Sequence, residues 1–516
     1  MATRVQQITV AGAAVAALLL TLSFGTLGAV ISRAEGFSSL SARDLSAVTF
    51  TLKQAFLSAL ISVLLAIPVA RALARRDFVG RSVLITLLGA PFILPVIVAI
   101  LGLLSVFGRN GLLNGALGWM ALEPIQIYGQ HGVILAHVFF NLPLATRLIL
   151  QGWLGIPAER FRLAASLGMG PREIFRQIEL PMLRQIGPGC FVVIFMICTT
   201  SFAVALTLGG GPKATTIELA IYQAFRFDFD LSKAAILSVM QFAICAVLAL
   251  GSLLVALPSG AGAGLDRMVD RWDGSRVLDT VWIGIATLFL LVPLGMIIAK
   301  GLPELFELRS SVFVAAWRSV WVALSSALLA ISLSLVLAFA IRASSGVLAS
   351  GLETVGYLAI AASPLVIGTG LFLLVYRWAD PVALALPVTV LVNAIMSVPF
   401  ALRALLPAIG DVQRDYGRLS ASLGLGGWAL FRIVYLPRIT RPLGFAAGLA
   451  AALSMGDLGV IALFADPESA TLPLEMYRLM EAYRMEQAFS AALVLLTLTL
   501  ALFWMFDRGG RVDVDR

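Results

Sequence analysis

The chain carries a succession of apolar runs about 20 residues long, and these constrain it more than any other feature. A hydrocarbon core about 30 Å thick needs roughly 20 apolar residues per crossing helix. In lipid the backbone must satisfy its own polar groups, which a helix does within one segment. Twelve such runs can be marked, at roughly 8–31, 49–72, 83–107, 131–152, 188–209, 234–257, 278–300, 317–341, 354–376, 382–404, 442–464 and 486–506. Charged residues make up only 13% of the sequence, against about 25% in a soluble domain. The expected fold is an all-α integral membrane protein of twelve helices. The run beginning at Ile8 is longer than the roughly 7–15-residue core of a secretory signal, so it is expected to stay as a first span.

The net charge is +8. Basic loops beside membrane spans set orientation, and that explains the excess without nucleic acid as a partner. With the N-terminus on the cytoplasmic side, most of the 37 Arg and Lys residues fall on inner segments. Both termini are therefore expected to be cytoplasmic. Cys190, Cys198 and Cys245 all lie in apolar runs and read as small core residues, not as a disulfide framework. With two histidines, no metal site and no cofactor are expected.

A polar stretch interrupts the apolar pattern twice. Arg162-Leu163-Ala164-Ala165-Ser166-Leu167-Gly168-Met169-Gly170 runs on through Phe175-Arg176 to Leu180-Pro181. Arg418-Leu419-Ser420-Ala421-Ser422-Leu423-Gly424-Leu425-Gly426 runs on through Phe431-Arg432 to Leu436-Pro437, at an offset of 256 residues. Asn141-Leu142-Pro143 matches Ser397-Val398-Pro399 at the same offset, and Thr216–Tyr222 resembles Thr471–Tyr477. Six spans per half is an even number, so the halves are expected to be parallel repeats about an axis along the membrane normal. The expected domains are 1–262 and 263–516, joined by the Gly-rich linker Pro258–Gly264.

Each polar stretch, 157–186 and 411–440, reads as helix, glycine turn, helix. Pro157 suits a first turn and Gly168 a helix end. Pro171 can open the second helix, and Pro181 is expected to end it. In the second copy Asp411 is the expected N-cap, with Gly424 at the turn and Pro437 at the stop.

This pattern resembles the cytoplasmic EAA loop of binding-protein-dependent ABC importer permeases. Ala164, Gly168, Ile178, Leu180 and Pro181 match in the first copy. Gly424, Leu436 and Pro437 match in the second, with Ser420 at the third-position Ala. Both copies depart at the leading Glu, which is Arg162 or Arg418. The segments Ser201–Gln223 and Leu453–Phe464 are similar to those of fused thiamine importer permeases, with ferric-iron importer permeases as the nearest alternative. The resemblance implies a bacterial inner-membrane subunit of the type I importer permease fold. It implies two copies of a separate ATP-binding subunit, contacted through Arg162, Ala164, Gly168, Leu180, Pro181, Arg418, Ser420, Gly424, Leu436 and Pro437. It also implies a periplasmic substrate-binding protein.

No Gly-x-x-x-x-Gly-Lys-Ser/Thr phosphate loop occurs, and no catalytic set stands out, so the chain is not expected to hydrolyse ATP. Asp457 is the one acid deep in an expected span, and its counterpart in the first half is near Ser201. Either Asp457 lines a pathway for a cation, or it hydrogen-bonds a neighbouring helix. An ion-coupled secondary transporter is the competing class. The paired hairpins and the scarcity of ionisable residues within the spans weigh against it.

Overall fold

The computed structural model describes residues 2–32, 41–89, 93–211, 214–253, 275–358, 363–376, 378–380, 382–464 and 467–511. The expected linker and the domain boundary fall outside these residues. Among the described residues every regular element is helical.

Among the described residues, eleven helical stretches are long and apolar enough to cross a membrane. They are Gln6–Ser32, Ala42–Arg75, Val96–Trp119, Gln130–Leu154, Pro171–Thr199, Leu231–Gly251, Arg276–Gly301, Ser310–Ala343, Ala385–Ser422, Gly427–Phe464 and Met485–Gly510. The expected span at 354–376 is instead two shorter helices, Gly346–Leu358 and Pro364–Val375. The run at 83–107 is likewise broken, into Arg81–Leu87 and Val96–Phe107. In each case a proline stands at the restart: Pro95 is the N-cap of one helix and Pro364 opens the other. Proline has no N–H to give to a continuing helix, and its ring is compatible with a first turn.

One early helix in each half, Ala42–Arg75 and Ser310–Ala343, starts from a capped or extended residue and runs 34 residues. Ser41 and Asp44 close a capping box at the start of Ala42–Arg75. These helices hold matching internal supports. Thr51 Oγ1 accepts the N–H of Ile217 at 2.9 Å, and Ser319 Oγ accepts that of Leu472 at 2.8 Å. Each hydroxyl thereby satisfies one of the orphan donors at the start of a short helix, Ile217–Arg226 or Leu472–Glu481.

The first helix of each half packs against the other half. Ala2–Leu20 lies on the 310–343 helix, where a Cβ on Gly12 would overlap Ala340. Arg276–Gly301 lies on 42–75 and 96–107, where a Cβ on Gly102 would come within 2.8 Å of the Pro293 carbonyl oxygen. Small residues at such crossings let backbones approach closely in a bilayer, where apolar burial alone does not drive helices together. The largest buried apolar cluster also joins the halves, packing Leu94, Ile97 and Phe202 with Leu365, Met455 and Phe464.

Candidate functional site

Both polar stretches form a hairpin with one geometry. In the first, helix Ala158–Ser166 ends at Gly168, whose φ is +68°. In the second, helix Ala385–Ser422 ends at Gly424, with φ +64°. Met169 N donates to Ala164 O, and Gly168 N to Ala165 O, both at 3.0 Å. Leu425 N to Ser420 O and Gly424 N to Ala421 O repeat the pair at 3.0 and 3.2 Å. This is the Schellman closure, which needs a left-handed residue after the helix, and glycine takes that conformation without a steric penalty. Ala164 and Ser420 are buried beneath the turn, whereas Arg162, Arg418, Gly168 and Gly424 are exposed. Leu163 and Leu167 stand 61% and 68% exposed, and Leu419 and Leu423 match them at 55% and 64%. Each turn thus offers an apolar tip.

The expected helix stop at Pro181 and Pro437 is not found. The second arm of each hairpin passes through a π-helical turn, Phe175–Glu179 or Phe431–Tyr435, and continues as Leu180–Thr199 or Leu436–Met455. Leu180 N donates to Phe175 O and Leu436 N to Phe431 O, one residue wider than an α-helical bond. The wider turn takes up the clash a proline ring would make with the carbonyl four residues back. Leu180 and Leu436 are half-buried, while Pro181 and Pro437 are exposed.

The expected N-cap at Asp411 is also corrected. Asp411 lies inside the 385–422 helix and pairs on the surface with Arg414 at 3.2 Å. The first half breaks here because Pro157 offers no N–H, whereas the second half has Gln413 at the matching place and runs on.

The two π-helical turns are anchored differently. Glu179 is fully buried. Arg71 Nε lies 2.7 Å from its Oε2, and Trp153 Nε1 donates to its Oε1 at 3.4 Å. In the second half Tyr435 occupies that place, edge-on to Phe339 with ring centroids 5.0 Å apart. Arg75 and Arg76 pair with Asp279 at 3.2 and 2.7 Å, fixing the start of 276–301 near the first hairpin. The far end of that helix meets the start of 485–511 at Gly301 and Phe489, and Gly510 lies against Thr440 and Arg441. Both hairpins therefore sit at the same end of the bundle.

Between the halves lies a cavity of about 210 Å³. Ser201, His137, Asn141 and Phe140 line it from the first half, and Ala452, Leu453 and Gly456 from the second. Ser201 is thus in the wall of this cavity. Asp457 follows Gly456 in the break between two helices and is not in the cavity wall. Its Oδ1 accepts the N–H of Gly459 at 3.2 Å, which caps the short helix Gly459–Phe464.

A helical membrane bundle with a duplicated EAA-type hairpin at one end, a seam between its halves and no phosphate loop is a permease of the ABC importer class. Such a permease is a transport subunit, and ATP hydrolysis resides in a separate one. The chain belongs to the thiamine transport system permease family. It is 40% identical over 515 residues to the thiamine transport system permease protein ThiP of Brucella abortus (strain 2308), covering 97% of this chain and 95% of the relative. It is 41% identical over 482 residues to ThiP of Escherichia coli (strain K12), covering 91% and 90%. To ThiP of Haemophilus influenzae it is 34% identical over 472 residues, covering 88% and 87%. No family model matches the chain.

Proposed function

We propose that the chain is the membrane subunit of a bacterial inner-membrane importer that carries thiamine along the seam between its halves. Full-length identity of about 40% to permeases named for thiamine supports the substrate over ferric iron. The two hairpins, alike in glycine turn, Schellman closure and π-helical turn at an offset of 256, carry the architectural reading. Two like hairpins at one end suit two copies of one ATPase. Leu163, Leu167, Leu419 and Leu423 are the apolar contacts, set by Ala164, Gly168, Leu180 and Pro181 in one copy and by Ser420, Gly424, Leu436 and Pro437 in the other. Arg162 and Arg418 rim them.

The eleven spans, with Gly346–Leu358 and Pro364–Val375 counted as one more, make twelve crossings in two parallel sets of six, in domains 1–262 and 263–516. The hairpins and both termini face the cytoplasm, where the Arg-rich segments also lie. A periplasmic binding protein delivers thiamine at the opposite end, where Phe227 and Phe229 stand exposed. Ser201 and Asp457 flank the pathway at the seam.

The test is reconstitution. The chain is purified with its co-purifying ATPase and binding protein and placed in vesicles. ATP-dependent uptake of thiamine with an ATPase-to-permease ratio of two supports the reading. Uptake of ferric ion without thiamine, or uptake by the chain alone on an ion gradient, overturns it.

A further inference from the structure

We propose that the seam cavity is a binding subsite for the aminopyrimidine ring of the substrate, and that His137 Nε2 is its reading atom. The inference rests on the reading of the chain as a thiamine permease.

His137 is 3% exposed and belongs to the 130–154 helix. Its Nδ1 lies 3.3 Å from Ser58 Oγ. Its Nε2 has no hydrogen-bond partner among the described residues. A buried polar atom left without a partner is costly, and in a crossing helix lipid offers no substitute. His137 lines the cavity, so a molecule held there can supply the missing bond.

The second half shows what the same frame does without such a site. At the matching offset of 256 stands Asn393, whose Nδ2 donates to Ser454 Oγ at 3.0 Å. Ser454 Oγ in turn donates to Ser326 Oγ at 3.1 Å. Ser326 Oγ donates on to the Val390 carbonyl at 3.2 Å, so this chain ends on backbone. In the first half Cys198 replaces the serine, and Asn141 Nδ2 donates to its sulfur at 3.4 Å. The imidazole Nε2 is left without a protein partner in a residue that lines the cavity.

The cavity chemistry fits one small heteroaromatic ring. A void of about 150 Å³ already holds benzene, and this one is about 210 Å³. Its polar wall is neutral and one-sided, with His137, Asn141 and Ser201 all from the first half, beside the ring of Phe140. The facing wall of Ala452, Leu453 and Gly456 is small and apolar. Such a mix of apolar wall and few polar groups is how small-molecule sites fix orientation. An aminopyrimidine is flat and uncharged, and it alternates ring-nitrogen acceptors with an exocyclic amine donor. An imidazole nitrogen, an amide and a hydroxyl can each answer one of these.

Two substitutions separate ligand recognition from a packing role. A glutamine amide reaches the place of the imidazole Nε2, whereas an asparagine amide reaches only that of Nδ1. Asparagine therefore keeps the Ser58 bond, as Asn393 keeps its own partner, and gives up the cavity edge. Thiamine uptake is measured in vesicles with the whole complex, alongside thermal unfolding of each variant. His137→Gln is expected to retain uptake within about twofold, and His137→Asn to lose about tenfold in the ratio of maximal rate to KM.

The ligand class is probed separately in a form with Cys190 and Cys245 replaced by alanine and Cys198 by serine, which keeps an acceptor for Asn141. Leu453→Cys is labelled with a maleimide in the presence of free 4-amino-5-hydroxymethyl-2-methylpyrimidine. Protection by the pyrimidine, lost in His137→Asn, supports the subsite. Retained uptake in His137→Asn with loss in His137→Gln would assign the histidine to packing against Ser58 and overturn the proposal. Labelling unaffected by the pyrimidine overturns it as well. A wild-type complex that moves another solute and no thiamine fails the underlying reading instead.

Discussion

Replacing Gly168 and Gly424 together by valine tests the hairpins at their turns. Both glycines are left-handed, and a Cβ at either would meet nothing within 4 Å. The penalty is therefore backbone strain without a clash. A left-handed residue other than glycine costs about 1–2 kcal/mol, and a β-branched one lies at the upper end. The turns share no partners, so the two penalties add to about 2–4 kcal/mol. That is roughly 30- to 1000-fold in any equilibrium that requires the left-handed turn. Insertion rests on the spans and is expected to be unchanged. ATPase association with the permease is expected to weaken, and thiamine uptake in vesicles to fall with it. The control is Gly168→Asn with Gly424→Asn, because asparagine visits the left-handed region far more readily than valine. The asparagine pair should keep most of the uptake. A stably inserted valine pair with wild-type uptake refutes the reasoning. An asparagine pair as defective as the valine pair assigns the effect to side-chain bulk at the interface.

Three further outcomes are expected. Glu179→Gln removes the charge facing Arg71 at a site where the acid is fully buried. Breaking a buried pair costs about 3–5 kcal/mol, so the thermal midpoint of the solubilised permease should fall, and an unchanged midpoint counts against the anchor. Asp457→Asn keeps a capping oxygen for Gly459 but loses the charge; slower uptake at unchanged stability supports a pathway role toward the cationic thiazolium, and equal uptake leaves Asp457 as a helix cap. Single cysteines at Arg172 and Gly427 should react with an impermeant maleimide only from the cytoplasm, and those at Gly211 and Glu468 only from outside; opposite reactivity of the two hairpins would exclude a parallel repeat.

The spans and the hairpin turns were legible because they depend on local pattern. Apolar runs of fixed length give the helices, and a glycine repeated at one offset gives the left-handed turn. Breaks within runs were not legible at 83–107 and 354–376, since the residues on both sides of each break are equally apolar. Pro181 and Pro437 misled for a related reason. A proline forbids a regular α-helix, yet a π-helical turn just before it lets the helix continue, and the sequence carries no separate mark of that turn. Asp411 is a good capping residue, but Gln413 supplies the N–H that Pro157 lacks, and helix continuity wins. The Arg71–Glu179 pair spans 108 residues, and the exchange of the first helices spans more. Contacts of that reach follow from packing, for which a single sequence holds no periodic signal. The one available hint was an acid, Glu179, in a position where the other copy has Tyr435.

Comparison of the two halves separates what holds the frame from what faces the seam. The frame positions are alike: Gly168 and Gly424, Pro181 and Pro437, and the hydroxyls of Thr51 and Ser319 on matching backbone donors. Around the cavity the halves differ: His137 stands against Asn393, Cys198 against Ser454, and Ser201 against Asp457, and of these only His137 and Ser201 are in the cavity wall. Frame residues answer to backbone geometry, which is the same in both halves, so only a narrow choice of side chain satisfies it. Seam residues answer to whatever lies between the halves. A strictly two-fold seam would offer one chemistry twice to any occupant. Thiamine has no two-fold axis: one of its rings is a neutral aminopyrimidine and the other a cationic thiazolium. The subsite proposed at His137 would give the pyrimidine a neutral polar wall from one half, and fusion of the two halves in one chain lets the two sides differ.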